Sequence, residues 1–205
     1  MRFFYAVHFL ILSTCILVIG SNGYALADDN KPASPPVERL QDRSSTPKST
    51  AELLEDLKRE RNADIAKTIA ANLVTQWADT GSATADLLMQ WADKARREKR
   101  NAAAMDFLDQ VIVLEPDNPN GWAKRATFNY SLGNVRKAVS DLNEVLKVEP
   151  RYFPALQMLA TILADSGSDE KAMKAWQDYL DVYPADRSAQ KAFSDLAEKL
   201  AGART

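Results

Sequence analysis

Histidine and cysteine, the side chains that most often supply acid–base, nucleophilic and metal chemistry, occur once each, as His8 and Cys15. Both fall in the first 27 residues, where Arg2 is the only formal charge and an apolar run extends from Phe3 to Gly20 before Ala25-Leu26-Ala27. Small residues at the third and first places before Asp28 suit signal-peptidase cleavage. Residues 1–27 therefore read as an export signal removed before Asp28, which places the rest in the periplasm or outside the cell. An uncleaved membrane anchor is the competing reading, because the run lies near the lower limit of a bilayer span, roughly 17 to 25 residues. A lipoprotein is the third, since Leu12-Ser13-Thr14-Cys15 approximates a lipobox, with Thr14 a poor residue at the cleavage place. Downstream of Asp28 there is neither histidine nor cysteine. Zinc sites of the usual kinds, cysteine nucleophiles, histidine bases and disulfides are thereby excluded from that part. Asp and Glu are plentiful, yet none of their spacings forms a paired-carboxylate site, and phosphate-cradling and nucleophile-elbow motifs are missing. No enzyme activity, cofactor or metal is expected.

The run Lys94-Ala-Arg-Arg-Glu-Lys-Arg100 is the one concentration of basic charge, and it stands where a helix ends, so the helix dipole accounts for it. The formal charge is −2 for the whole chain and −3 without the first 27 residues. Such balance gives no electrostatic footprint for nucleic acid. With 205 residues and 46% apolar content the chain can form one packed domain.

Residues 28–50 hold four of the nine prolines, many Ser and Thr and scarcely any large apolar side chain, so they read as a disordered spacer. Beyond it the chain repeats. Pro116, Pro150 and Pro184 are spaced by 34 residues, as are Ala70, Ala104, Ala138 and Ala172. Leu108, Leu142 and Trp176 form a third column, and Val111, Val145 and, offset by one, Leu180 a fourth. Apolar residues recur at three and four within each unit, as in Leu88, Trp91, Ala92 and Ala95, which predicts helices. Asn101, Asn134 and Asp169 stand where a second helix of each unit would be capped. Each unit is a helix, a tight turn and a helix.

These residues resemble the tetratricopeptide repeat. Residues 119–152 fit through Trp122, Ala126, Gly133, Ala138, Leu142, Val145 and Pro150, and 153–186 through Leu156, Leu159, Ala160, Gly167, Ala172, Trp176 and Pro184. Residues 85–118 fit through Leu88, Trp91, Ala92, Ala104, Leu108, Val111 and Pro116, with Lys99 in place of the turn glycine; Arg125 and Asn129 depart from the usual Leu and Tyr. All four tryptophans fall at packing positions, and Arg125 is expected to pair with an acid such as Asp141. The resemblance implies an all-α fold, a right-handed α-solenoid of helix-turn-helix repeats. Residues 51–82 keep part of the register and read as a degenerate N-terminal helical pair capping the stack; 187–201 read as a C-terminal capping helix. The whole is similar to exported tetratricopeptide proteins of Gram-negative bacteria, alphaproteobacterial ones above all.

The resemblance also implies a function: a scaffold or adaptor of the cell envelope that holds a protein or peptide segment in the concave groove of the first helices. Partner contacts are expected at Met89, Lys124, Tyr130 and Gln157. The carboxylate grip of chaperone adaptors is missing, because its places hold Met89, Asp93, Lys124, Pro154 and Met158. A self-assembling structural module and a membrane-anchored assembly factor are the alternatives, with no nucleic acid and no small-molecule cofactor expected.

Overall fold

A computed structural model describes residues 47–202, which belong to one compact unit beginning at Ser45. The export signal and most of the spacer lie outside the described residues. Helices α1 (Thr50–Arg59) and α2 (Ala63–Ala78) precede three pairs, α3 (Ala83–Arg97) with α4 (Asn101–Leu114), α5 (Pro119–Ser131) with α6 (Val135–Val148), and α7 (Phe153–Asp165) with α8 (Asp169–Val182); α9 (Arg187–Gly202) follows. Among the described residues there are no strands. The fold is the all-α solenoid that the repeat spacing predicts.

Small residues set the spacing of the helices. Ala92, Ala126 and Ala160 on the first helices and Ala104, Ala138 and Ala172 on the second are all buried, so the paired axes approach closely. Each pair then stacks on the next, α4 on α5, α6 on α7 and α8 on α9. At the first of these junctions, a Cβ at Gly121 would lie 3.0 Å from Val111 Cγ1. Ala155 on α7 and Ala189 on α9, each 34 residues further on, are also buried. A small residue at this place is what lets one repeat seat on the one before.

The turns differ from expectation in one respect. Asn134 stands at the N-cap of α6 and Ser168, rather than Asp169, at that of α8, both without a side-chain cap bond, and Arg100 precedes α4. The turns are instead fixed by the preceding helix ends, where Arg100, Asn134 and Ser168 donate their N–H groups back to Ala95, Asn129 and Leu163. Lys99, Gly133 and Gly167 supply the left-handed residue at φ 57°, 76° and 73°. Only Lys99 carries a side chain there, at a steric cost.

Two further expectations change. The spacer does not extend to Thr50: Ser49 and Glu52 form a capping box, and the Lys48 carbonyl accepts from Gln76 Nε2 at 2.7 Å. The α1–α2 pair does not seat on α3 as the repeats seat on one another. Its main packing outside the pair is of α2 against α5 and of α1 against α8. Trp77 lies 4.5 Å from the Tyr152 ring and 5.5 Å from Phe153, and Leu53, Leu54 and Leu57 share one core cluster with Tyr179 and Tyr183. The physical reason is steric. The place filled by Gly121, Ala155 and Ala189 elsewhere holds Leu87 in α3, while α2 presents Trp77 where α4 has Val111. Two large side chains cannot share that junction, and Asp79-Thr80-Gly81-Ser82 has no proline to direct it.

Candidate functional site

Side chains of α3, α5 and α7, with those of α4 and α6 beneath them, enclose a cleft of about 350 Å³. Its floor is apolar, formed by Ala92, Leu108, Phe128 and Leu142, with Asp93, Lys124, Thr127 and Met158 nearer the rim. The periodicity explains the arrangement: Ala123, Lys124 and Thr127 share one face of α5, and the equivalent face of α7 offers Met158. Lys124 Nζ donates to Asp93 Oδ2 at 2.8 Å, joining α5 to α3 across the cleft, and both side chains are about one-third exposed. Thr127 is turned by a bond from its Oγ1 to the Ala123 carbonyl at 2.9 Å. A cavity of this size and lining can take one or two large apolar side chains, with a neutralised ion pair on its edge.

The structure distributes the four expected contacts differently. Lys124 lines the cleft, though already paired. Tyr130 stands on α5 and donates from its hydroxyl to Asp165 Oδ2 on α7 at 3.2 Å, a bond that raises its pKa. Gln157 is exposed on α7 but lies off the cleft. Met89 is only 4% exposed and cannot be a surface contact in this arrangement. Its sulfur accepts from Asn120 Nδ2 at 3.3 Å, and the same amide reaches the Ala78 carbonyl at the end of α2. The α1–α2 pair thus closes over one part of the first-helix face that the repeat pattern would leave open. Met158, Thr127 and Asp93 share one face with Lys124 and form the cleft, and Arg96 lines it too.

Arg125 and Asn129, the two departures from the repeat pattern, serve one acid. Asp141 is 4% exposed and receives Arg125 Nε at 3.1 Å, Arg125 Nη2 at 2.7 Å and Asn129 Nδ2 at 2.9 Å. Arg125 Nη1 also reaches Asp109 of the preceding repeat at 2.7 Å, and its guanidinium lies 4.9 Å from the centre of the Trp122 ring. Burial pulls the Arg125 pKa down, and the bonds to Asp141 and Asp109 outweigh it, so the net shift is upward. This is a structural junction between repeats. Trp77 and Trp176 are buried and Trp122 is half-buried, donating to the Pro116 carbonyl at 3.0 Å. Trp91 is the exception, 46% exposed beside Phe107, because no repeat seats against it.

Among the described residues, no group of His, Cys, Asp and Glu has the arrangement of a metal site, and no helix is long and apolar enough to cross a membrane.

No family model matches the chain. A TPR repeat-containing protein of Rhizobium etli is 55% identical over 163 residues, 79% of this chain and 80% of that protein. The chain belongs to the tetratricopeptide repeat (TPR) proteins. TPR domains are protein–protein interaction modules, and proteins of this kind are typically non-enzymatic. Small glutamine-rich tetratricopeptide repeat-containing protein 2 of Mycosarcoma maydis is 27% identical over 60% of this chain, which spans only 35% of that protein. The first TPR domain of Spaghetti, solved with the HSP90 peptide SRMEEVD, superposes with a TM-score of 0.52 at 21% identity, over 58% of this chain and 94% of that one. The TPR2B domain of yeast Sti1, solved with an Hsp70 peptide, gives 0.51 at 15% identity, over 58% and 99%. At these identities the two structures bear on the fold alone.

Proposed function

We propose that this TPR protein is a non-catalytic scaffold or adaptor of the cell envelope that holds an extended segment of another protein in the cleft between α3, α5 and α7. The carrying observation is the cleft itself, with an apolar floor under the Asp93–Lys124 pair and Met158 at its edge. Peptide complexes of the related folds support the mode of binding. The chemistry of the segment differs from theirs, since the places of a carboxylate grip hold a buried Met89, a paired Lys124, Pro154 and Met158. A segment presenting a Leu, Met or Phe side chain to the floor fits best. The export signal read in residues 1–27 supports an envelope location. A fusion of residues 1–30 to a reporter active only outside the cytoplasm is expected to be active, with the mature protein beginning at Asp28; an intact Met1 on the exported protein would favour an anchor.

The binding test uses peptides selected from a random library against the chain from Asp28. Thr127→Trp fills the cleft from an exposed position, and Lys124→Ala removes the rim cation. Thr127→Trp is expected to weaken the selected peptides by about tenfold or more with the melting temperature unchanged. Affinity that survives Thr127→Trp rules the cleft out as the binding site.

A further inference from the structure

Among the described residues, the α3 end of the repeat array is an unpartnered stacking face. At each later junction the residues that meet the preceding repeat are buried or half-buried: Gly121 and Arg125 on α5, Ala155 and Leu159 on α7, Ala189 and Phe193 on α9. Their equivalents on α3, 34 residues earlier, are Leu87 and Trp91, and these are 43% and 46% exposed. The ring of Phe107 on α4 lies 5.6 Å from Trp91 and extends the apolar strip. No repeat of the regular kind can seat here, because Leu87 replaces the small residue that the junction needs. The opposite end is different, since α9 covers α8 with Ala189, Phe193 and Leu196.

We propose that this face joins two copies of the chain, α3 of one lying antiparallel to α3 of the other about a twofold axis near Gln90. Charge selects this occupant. Asp86 stands in the first turn of α3 and Lys94, Arg96 and Arg97 in the last. Antiparallel packing brings Asp86 of each copy beside Lys94 of the other and opposes the two helix dipoles, while Leu87 and Trp91 cross over the axis. The chain's own residues 28–46 are a poor cover, with Val37 and Leu40 their only large apolar side chains. Because, among the described residues, only one end of the solenoid is open, the contact closes on itself and yields a dimer rather than a filament.

Sedimentation of the chain from Asp28, which contains the whole described unit, is the test, from about 5 to about 500 micromolar. A monomer–dimer equilibrium is expected, weakened by salt. Trp91→Glu is expected to shift dissociation by about a hundredfold, and Lys94→Glu by a smaller factor, with the helical signal and melting unchanged. From Asp28 onward there is no cysteine, so Gln90→Cys in that chain provides an independent readout: it should cross-link to a disulfide dimer on mild oxidation, whereas Gln177→Cys on α8 should not. A parent that stays monomeric throughout, a dimer untouched by Trp91→Glu, or assemblies larger than two overturn the proposal. So does a chain beginning at Pro47 that dimerises where the longer one does not, since residues 28–46 would then be the occupant.

Discussion

Trp77→Ala should loosen the α1–α2 pair on the repeats without unfolding them. Trp77 is 7% exposed, and its ring meets Tyr152 and Phe153 at 4.5 and 5.5 Å. Burying an indole removes roughly 150 to 250 Å² from water, worth about 4 to 6 kcal/mol at about 25 cal/mol per Å². Truncation of a buried Trp costs about 3 to 5 kcal/mol once the neighbours relax. The Arg151–Glu55 pair, 3.7 Å apart and about half exposed, adds little, so the attachment that remains is that of Leu53, Leu54 and Leu57 to the cluster with Tyr179 and Tyr183. Amide hydrogen exchange reads the result helix by helix. Amides of α1 and α2 should exchange about a hundred to a thousand times faster, the equivalent of about 3 to 4 kcal/mol, while those of α3 to α6 change little. Protection retained in α1 and α2, or an equal loss in α5 and α6, refutes the reasoning, the second by showing one indivisible cooperative unit.

Asp141→Ala strands the Arg125 guanidinium and the Asn129 amide and should cost about 2 to 4 kcal/mol in urea unfolding; Arg125→Leu with Asp141→Ala, which copies Leu159 and Ala175 of the third repeat, should return to within about 1.5 kcal/mol of the parent. Burial pushes the Tyr152 pKa up to about 12, and burial followed by the 2.6 Å bond to Asp186 raises that of Tyr179. The folded chain therefore holds these phenol protons more tightly than the unfolded one, so their contribution is complete below about pH 10 and lost as pH rises towards and beyond about 12, about 2 to 3 kcal/mol for Tyr152. Alkaline unfolding followed by circular dichroism should show this fall, and Tyr152→Phe should flatten it. Lys99→Gly should raise stability by about 0.5 to 1 kcal/mol by relieving the left-handed φ at that turn, read as a higher melting temperature.

What was legible in the sequence is what depends on neighbours a fixed distance along the chain. The proline, alanine and glycine columns gave the repeats because each repeat packs on residues in register with it. Arg125 with Asp141 was legible for the same reason. In the fourth column, though, Tyr179, 2% exposed, takes the place read as Leu180, because the in-register residue is aromatic where the other repeats have valine. The misplaced readings depend on contacts outside the register. Met89 is buried beside Asn120, whose amide also reaches the end of α2, and Trp91 is exposed because α2 does not seat on α3. The signal for both was Leu87, whose size breaks the Gly/Ala column at residues 121, 155 and 189. Lys124 lies on the face of α5 that its register implies, but its pairing with Asp93 depends on the separation of α3 and α5, which periodicity does not specify.

The most direct test of the cleft as the binding site is amide chemical-shift mapping of the chain from Asp28 titrated with a library-selected peptide. The largest changes should fall on Asp93, Lys124, Thr127 and Met158, saturating together with one dissociation constant. Changes centred instead on the outer surfaces of α4, α6 and α8, or on Leu87 and Trp91 alone, contradict it.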